Sequence, residues 1–126
     1  MTIQGVINSV RQVRSQNADV QTLLKDISTV EAEAVHTVLL AAEPEDVPAL
    51  PYTENDMDEP LLIGAPYEDA YVFYCLYRAD LRENQIENAS NALSMYEDLL
   101  MKWKKYRMRT HRPKRGAKIT MEGYNV

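Results

Sequence analysis

A chain of 126 residues, 45% of them hydrophobic, has the length of one domain able to bury roughly two thirds of its unfolded surface. Four glycines argue against a turn-rich all-β architecture, and a single cysteine excludes an internal disulfide and any multi-cysteine metal site. The net charge of −5 conceals a segregation: no Lys or Arg lies between Lys25 and Arg78, whereas nine of the fourteen lie between Lys102 and Lys118, where no acid occurs.

In chain order, Thr2 is a cap for a first helix over about 2–14, with Ile3, Val6, Ile7, Val10 and Val13 on one apolar stripe. A short polar connection, Ser15 to Ala18, leads to Asp19 as N-cap of a second helix over about 19–41. Its apolar face is Val20, Leu23, Leu24, Ile27, Ala34, Val35, Val38 and Leu39. Ser28 and Glu31 have capping-box spacing, which offers a break in that helix, but one long helix is the expectation.

Residues 42–66 read as a long acidic loop. Pro44, Pro48, Pro51 and Pro60 forbid a continuous helix, and seven acids (Glu43, Glu45, Asp46, Glu54, Asp56, Asp58 and Glu59) face no base. Loops of this length inside a domain are uncommon and often functional. Leu61-Leu62-Ile63 is read as an apolar anchor returning the chain to the core, ahead of a short strand. A calcium loop counted from Asp56 fails, since its glycine and glutamate positions fall on Leu61 and Tyr67.

The aromatic centre follows, with six of the eight tyrosines and the single Trp, Phe and Cys between Pro66 and Arg109. Pro66 suits the first turn of a third helix over about 67–84. Tyr67, Tyr71, Tyr74 and Arg78 form one row on it, beside a second row of Val72, Cys75, Leu76 and Ala79. The tyrosine row suits a core edge, or a subunit interface in which rings pack and hydroxyls reach a partner. A polar junction around Asn84 to Asn88 turns the chain into a fourth helix over about 86–109, with a stripe of Ile86, Ala89, Leu93, Tyr96, Leu100 and Trp103, widened by Ala92, Leu99 and Tyr106. Its end is basic (Lys102, Lys104, Lys105, Arg107, Arg109), which complements the helix dipole without any ligand. Beyond it, Pro113 and Gly116 end helicity, and 113–126 is an extended tail bearing Lys114, Arg115 and Lys118 after Arg112. The fold class is therefore all-α: a helical domain over 1–112, a small bundle of about four helices with a long acidic, proline-rich loop, followed by that basic tail.

Catalytic signatures are missing. The glycines are too scattered to cradle phosphate, and His36 and His111 lack partners at metal spacing. No nucleophile motif is present. We expect no enzyme, no cofactor and no metal. With no apolar run near the ~20 residues that cross a bilayer, and nothing like a signal peptide, a soluble intracellular protein without a membrane partner is expected.

From Tyr52 to Pro113 the chain reads YTENDMDEPLLIGAPYEDAYVFYCLYRADLRENQIENASNALSMYEDLLMKWKKYRMRTHRP. This succession (acidic run, LL or LI, a small residue and PY, a tyrosine-rich helix, an Asn/Ser-rich start to the next helix, an aromatic-basic ending before RTH-P) resembles the head–tail connector (adaptor) proteins of tailed phages and prophages of Gram-positive hosts. The two N-terminal helices are similar too. The resemblance implies a homo-oligomeric virion neck ring, commonly of about twelve copies, built through heterologous contacts. Such a ring is assembled in the host cytoplasm between the portal protein and a downstream neck or tail-completion protein. DNA would pass through its lumen without sequence-specific binding. Candidate subunit or portal contacts are Tyr67, Tyr71, Tyr74, Arg78, Lys102, Lys104, Lys105, Arg107, Arg109, Arg112, Lys114, Arg115 and Lys118, with Glu54, Asp56, Asp58 and Glu59 as the acidic counterpart. The competing reading is a small helical DNA-binding protein that uses the cations of Lys102 to Lys118.

Overall fold

The computed structural model describes residues 1–13, 19–40 and 47–110. They form four α-helices, α1 (Ile3–Val13), α2 (Val20–Leu40), α3 (Asp69–Arg82) and α4 (Ile86–Thr110), with one turn of 3-10 helix at Glu54–Asp56. Among the described residues no strand forms, although Thr2 and Pro60 make an isolated antiparallel bridge. The fold is the expected all-α bundle. The Ser15–Ala18 connection, the first part of the acidic loop through Asp46 and the tail from His111 onward lie outside the described residues.

The first helix starts where its cap predicts, since the Gly5 N–H donates to Thr2 Oγ1 at 3.2 Å. Ile3, Val6, Ile7 and Val10 are buried, whereas Val13, the last of the expected stripe, is 54% exposed. α2 runs unbroken past Ser28, with its first turn closed by the Leu23 N–H on the Asp19 carbonyl (3.0 Å). Leu23, Leu24, Ile27, Ala34 and Val38 face inward as expected, joined by Val30, while Leu39 is exposed.

α3 begins at Asp69 rather than at Tyr67, because Pro66 belongs to a turn closed by the Tyr67 N–H on the Gly64 carbonyl (2.9 Å). The Leu50–Pro51 and Ala65–Pro66 peptide bonds are cis. α3 ends at a polar junction. Asn84 takes φ 59°, a left-handed conformation that asparagine tolerates better than most residues, and the Gln85 N–H returns to the Asp80 carbonyl at 2.8 Å. So short a connection makes α3 and α4 an antiparallel hairpin, and each packs chiefly on the other. Ala89, Ala92, Tyr96, Leu100 and Trp103 bury the inner stripe of α4. Ile86, expected on that stripe, is 62% exposed because it opens the helix before the packed region begins. α1 and α2 close the other side of α3.

Leu61 and Ile63 are buried and Leu62 is half-buried. The Leu61 N–H donates to the Met1 carbonyl at 3.2 Å. The segment is the expected anchor, pinned beside the start of α1.

Candidate functional site

The most constrained polar cluster is built on Glu31, which is fully buried in the middle of α2. Three donors converge on its carboxylate. The Tyr52 hydroxyl donates to Oε2 at 2.7 Å, the Leu62 N–H donates to the same oxygen at 3.0 Å, and the Tyr71 hydroxyl donates to Oε1. Tyr71 also accepts the Ile63 N–H at 2.9 Å, and Ser28 Oγ accepts the Tyr52 N–H at 2.9 Å. One turn of α2 thus holds the proline-rich segment at both ends, at Tyr52 and at Leu62-Ile63, and ties it to α3. Ser28 and Glu31 are not a capping box; they satisfy backbone and hydroxyl groups that folding of the loop would otherwise bury unpaired.

Burial raises the Glu31 carboxyl above the usual glutamate range, and its three hydrogen bonds only partly counter that. Burial foremost, and then the Glu31 charge, push the Tyr52 and Tyr71 hydroxyls far up, so both stay protonated donors. A wholly enclosed Tyr71 presents no surface. Its place in the candidate interface is therefore corrected: it is the internal strut between α3 and Glu31.

The remaining candidates stand in three groups. Tyr67 and Tyr74 are half-buried and pack ring to ring, Tyr67 on Tyr106 at 5.8 Å and Tyr74 on Tyr96 at 5.0 Å and on Tyr77 at 5.8 Å. Arg78 and Arg82 flank the buried Asp26, at 3.9 and 3.4 Å. Burial raises the Asp26 carboxyl, opposed by the two guanidiniums, Arg82 first. On α4, Lys102 pairs with Asp98 at 3.0 Å and Lys104 with Glu33 of α2 at 3.3 Å, while Lys105 and Arg109 are exposed. Arg107 is 8% exposed, continuing the inner stripe below Trp103, so its part in a surface contact is corrected too. Arg112, Lys114, Arg115 and Lys118 lie outside the described residues.

In the acidic segment Asp56 caps its own 3-10 turn, accepting from the Thr53 N–H at 2.8 Å. Glu54 accepts from Gln21 Nε2 at 2.6 Å, and Asp58 and Glu59 are exposed. Among the described residues no group of three or more His, Cys, Asp or Glu is placed to hold a metal ion, and no helix is long and apolar enough to cross a membrane. Cys75 is fully buried and its thiol is pushed far up by that burial, the environment of an inert core thiol.

The acidic and basic patches both meet α2, but at different places. Glu54 meets Gln21 in its first turn, whereas Lys104 meets Glu33 twelve residues further on, about 18 Å along the helix axis. Exposed apolar side chains accompany the basic end of α4, with Met101 at 53% and Tyr106 at 38%.

No protein-family model matches the chain, and no curated protein or solved structure matches it.

Proposed function

We propose that the chain is a structural subunit, a head–tail connector that assembles as a ring beneath a portal and lets DNA pass. The observation that carries the reading is the separation of charge along α2. Exposed Glu54 meets Gln21 near its start, and exposed Lys105 and Arg109 follow the Lys104 contact about 18 Å away. A ring of identical subunits joins two different patches on each copy, and patches of opposite sign set apart on one rigid helix meet that need. The exposed Met101 and Tyr106 beside the basic patch add apolar area, without which charge alone makes a weak contact. The order of motifs from Tyr52 to Pro113 supports the same assignment. Within the bundle, Lys102 and Lys104 already have acidic partners, which weakens the DNA-binding alternative.

The tail 113–126 has too little apolar content to fold alone and suits ordering on a partner. Its deletion is expected to abolish portal binding while leaving the helical circular dichroism unchanged. Portal binding at full strength by the shortened chain would remove the tail from the contact. Duplex-DNA binding at low salt, lost on reversing the exposed Lys105 and Arg109, would instead favour the DNA-binding reading.

A further inference from the structure

Between the Gln21–Glu33 face of α2 and Leu50–Thr53 lies an open groove of about 860 Å³. Its floor and walls are mainly apolar, with Leu24, Ala32, Leu50 and Pro51 among the lining residues. The loop wall is fixed in advance: Tyr52, which lines the groove, is held to Ser28 through its N–H and to Glu31 through its hydroxyl. A ready-made groove with one wall locked in place costs a ligand little reorganisation.

Charge and chain length identify an occupant. Glu33 lines one end of the groove; at the other, beside Lys25 in the lining, Gln21 holds Glu54 just outside it. Lys104 of α4 reaches Glu33 at 3.3 Å, so α4 passes the Glu33 end of the groove. The helix ends six residues later at Thr110, about 9 Å beyond. The sequence that follows carries Lys114, Arg115 and Lys118 and then the aliphatic Ile119 and Met121. The groove is about 18 Å long, which about six extended residues cover at ~3.3 Å each. So short a tether gives a local concentration on the order of millimolar, which favours the chain's own segment over that of a second copy.

We infer that this groove binds the chain's own C-terminal segment, Lys114–Met121, as an extended peptide. The cations lie at the Glu33 end, and Ile119 and Met121 lie on the apolar lining next to it. A partner that captures the tail must then displace it from the groove, which makes tail release a step in assembly.

The test uses the full chain with cysteine pairs, Thr29→Cys with Ile119→Cys and Ala32→Cys with Ile119→Cys. Positions 29 and 32 are exposed and line the groove. The control pairs Ile119→Cys with Glu87→Cys, at the exposed start of α4. Cys75 is buried and does not compete. Under mild oxidation at micromolar protein, both groove pairs are expected to close at monomer mass at least about tenfold faster than the control. Adding Lys114→Glu and Arg115→Glu is expected to remove most of that advantage at low salt. Equal rates for groove and control pairs would overturn the inference. Disulfide-linked dimers would overturn it as well, by assigning the groove to a second copy.

Discussion

Replacing Glu31 by alanine is expected to destabilise the fold by about 3–5 kcal/mol and to lower the thermal midpoint by roughly 10–20 °C. The substitution leaves the buried Tyr52 and Tyr71 hydroxyls and the partly buried Leu62 N–H without their acceptor. Each stranded donor costs about 1–3 kcal/mol, and the deleted side chain leaves a void besides. Glu31→Gln should cost less, about 1–2 kcal/mol. Its amide oxygen can still accept from Tyr52 and Leu62, but its NH₂ group then faces a Tyr71 hydroxyl that already accepts the Ile63 N–H. Denaturant titration of the three proteins measures this series. A Glu31→Ala variant within 1 kcal/mol of the parent would show that the proline-rich segment is held by other contacts.

The same glutamate gives the pH dependence a definite sign. Its folded pKa lies above the unfolded value of 4.5 because burial disfavours the charge. Ionisation therefore subtracts stability at all pH values above the folded pKa, and the penalty fades as pH falls through it. The stability difference between parent and Glu31→Gln should shift in the parent's favour as pH is lowered from about 8 to about 5. A shift in the opposite direction would mean that the three hydrogen bonds outweigh desolvation.

Trp103→Ala is expected to cost a comparable 3–5 kcal/mol, by a different route. Trp103 is 2% exposed and the largest of the fully buried side chains, on the inner stripe of α4 between Leu100 and Arg107. Alanine there removes most of an indole from a close-packed interior, and a rigid helical hairpin can collapse only partly into the space. Unlike the Glu31 series, this loss should be nearly independent of pH, which separates the two mechanisms in one set of titrations. A cost below about 1 kcal/mol would mean that α4 repacks freely.

The helices were readable because apolar periodicity, an N-cap and prolines all acted locally. Thr2 capped α1, most of the α2 face turned inward with Leu39 the exception, and Asn84 lies at the polar junction expected there. Glu31 was not readable as a buried hub, since an acid three residues after a serine also fits a capping box. A signal was nevertheless present: Glu31 lies four residues after Ile27, seven after Leu24 and three before Ala34, on the apolar stripe itself. An acid in that position must be buried with partners or break the stripe. Arg107, four residues after Trp103, carries the same signal on α4. Tyr71 was misplaced because tyrosine spacing does not tell a hydroxyl facing a partner from one facing an internal carboxylate. The groove depends on Leu50–Thr53 returning to α2 across a sequence separation that no local pattern encodes.

The most direct test of the connector assignment is the solution mass of the full chain, alone and mixed with the portal protein of the same genome. A connector forms a multi-copy ring on the portal. A single chain whose mass is unchanged by the portal would contradict the assignment.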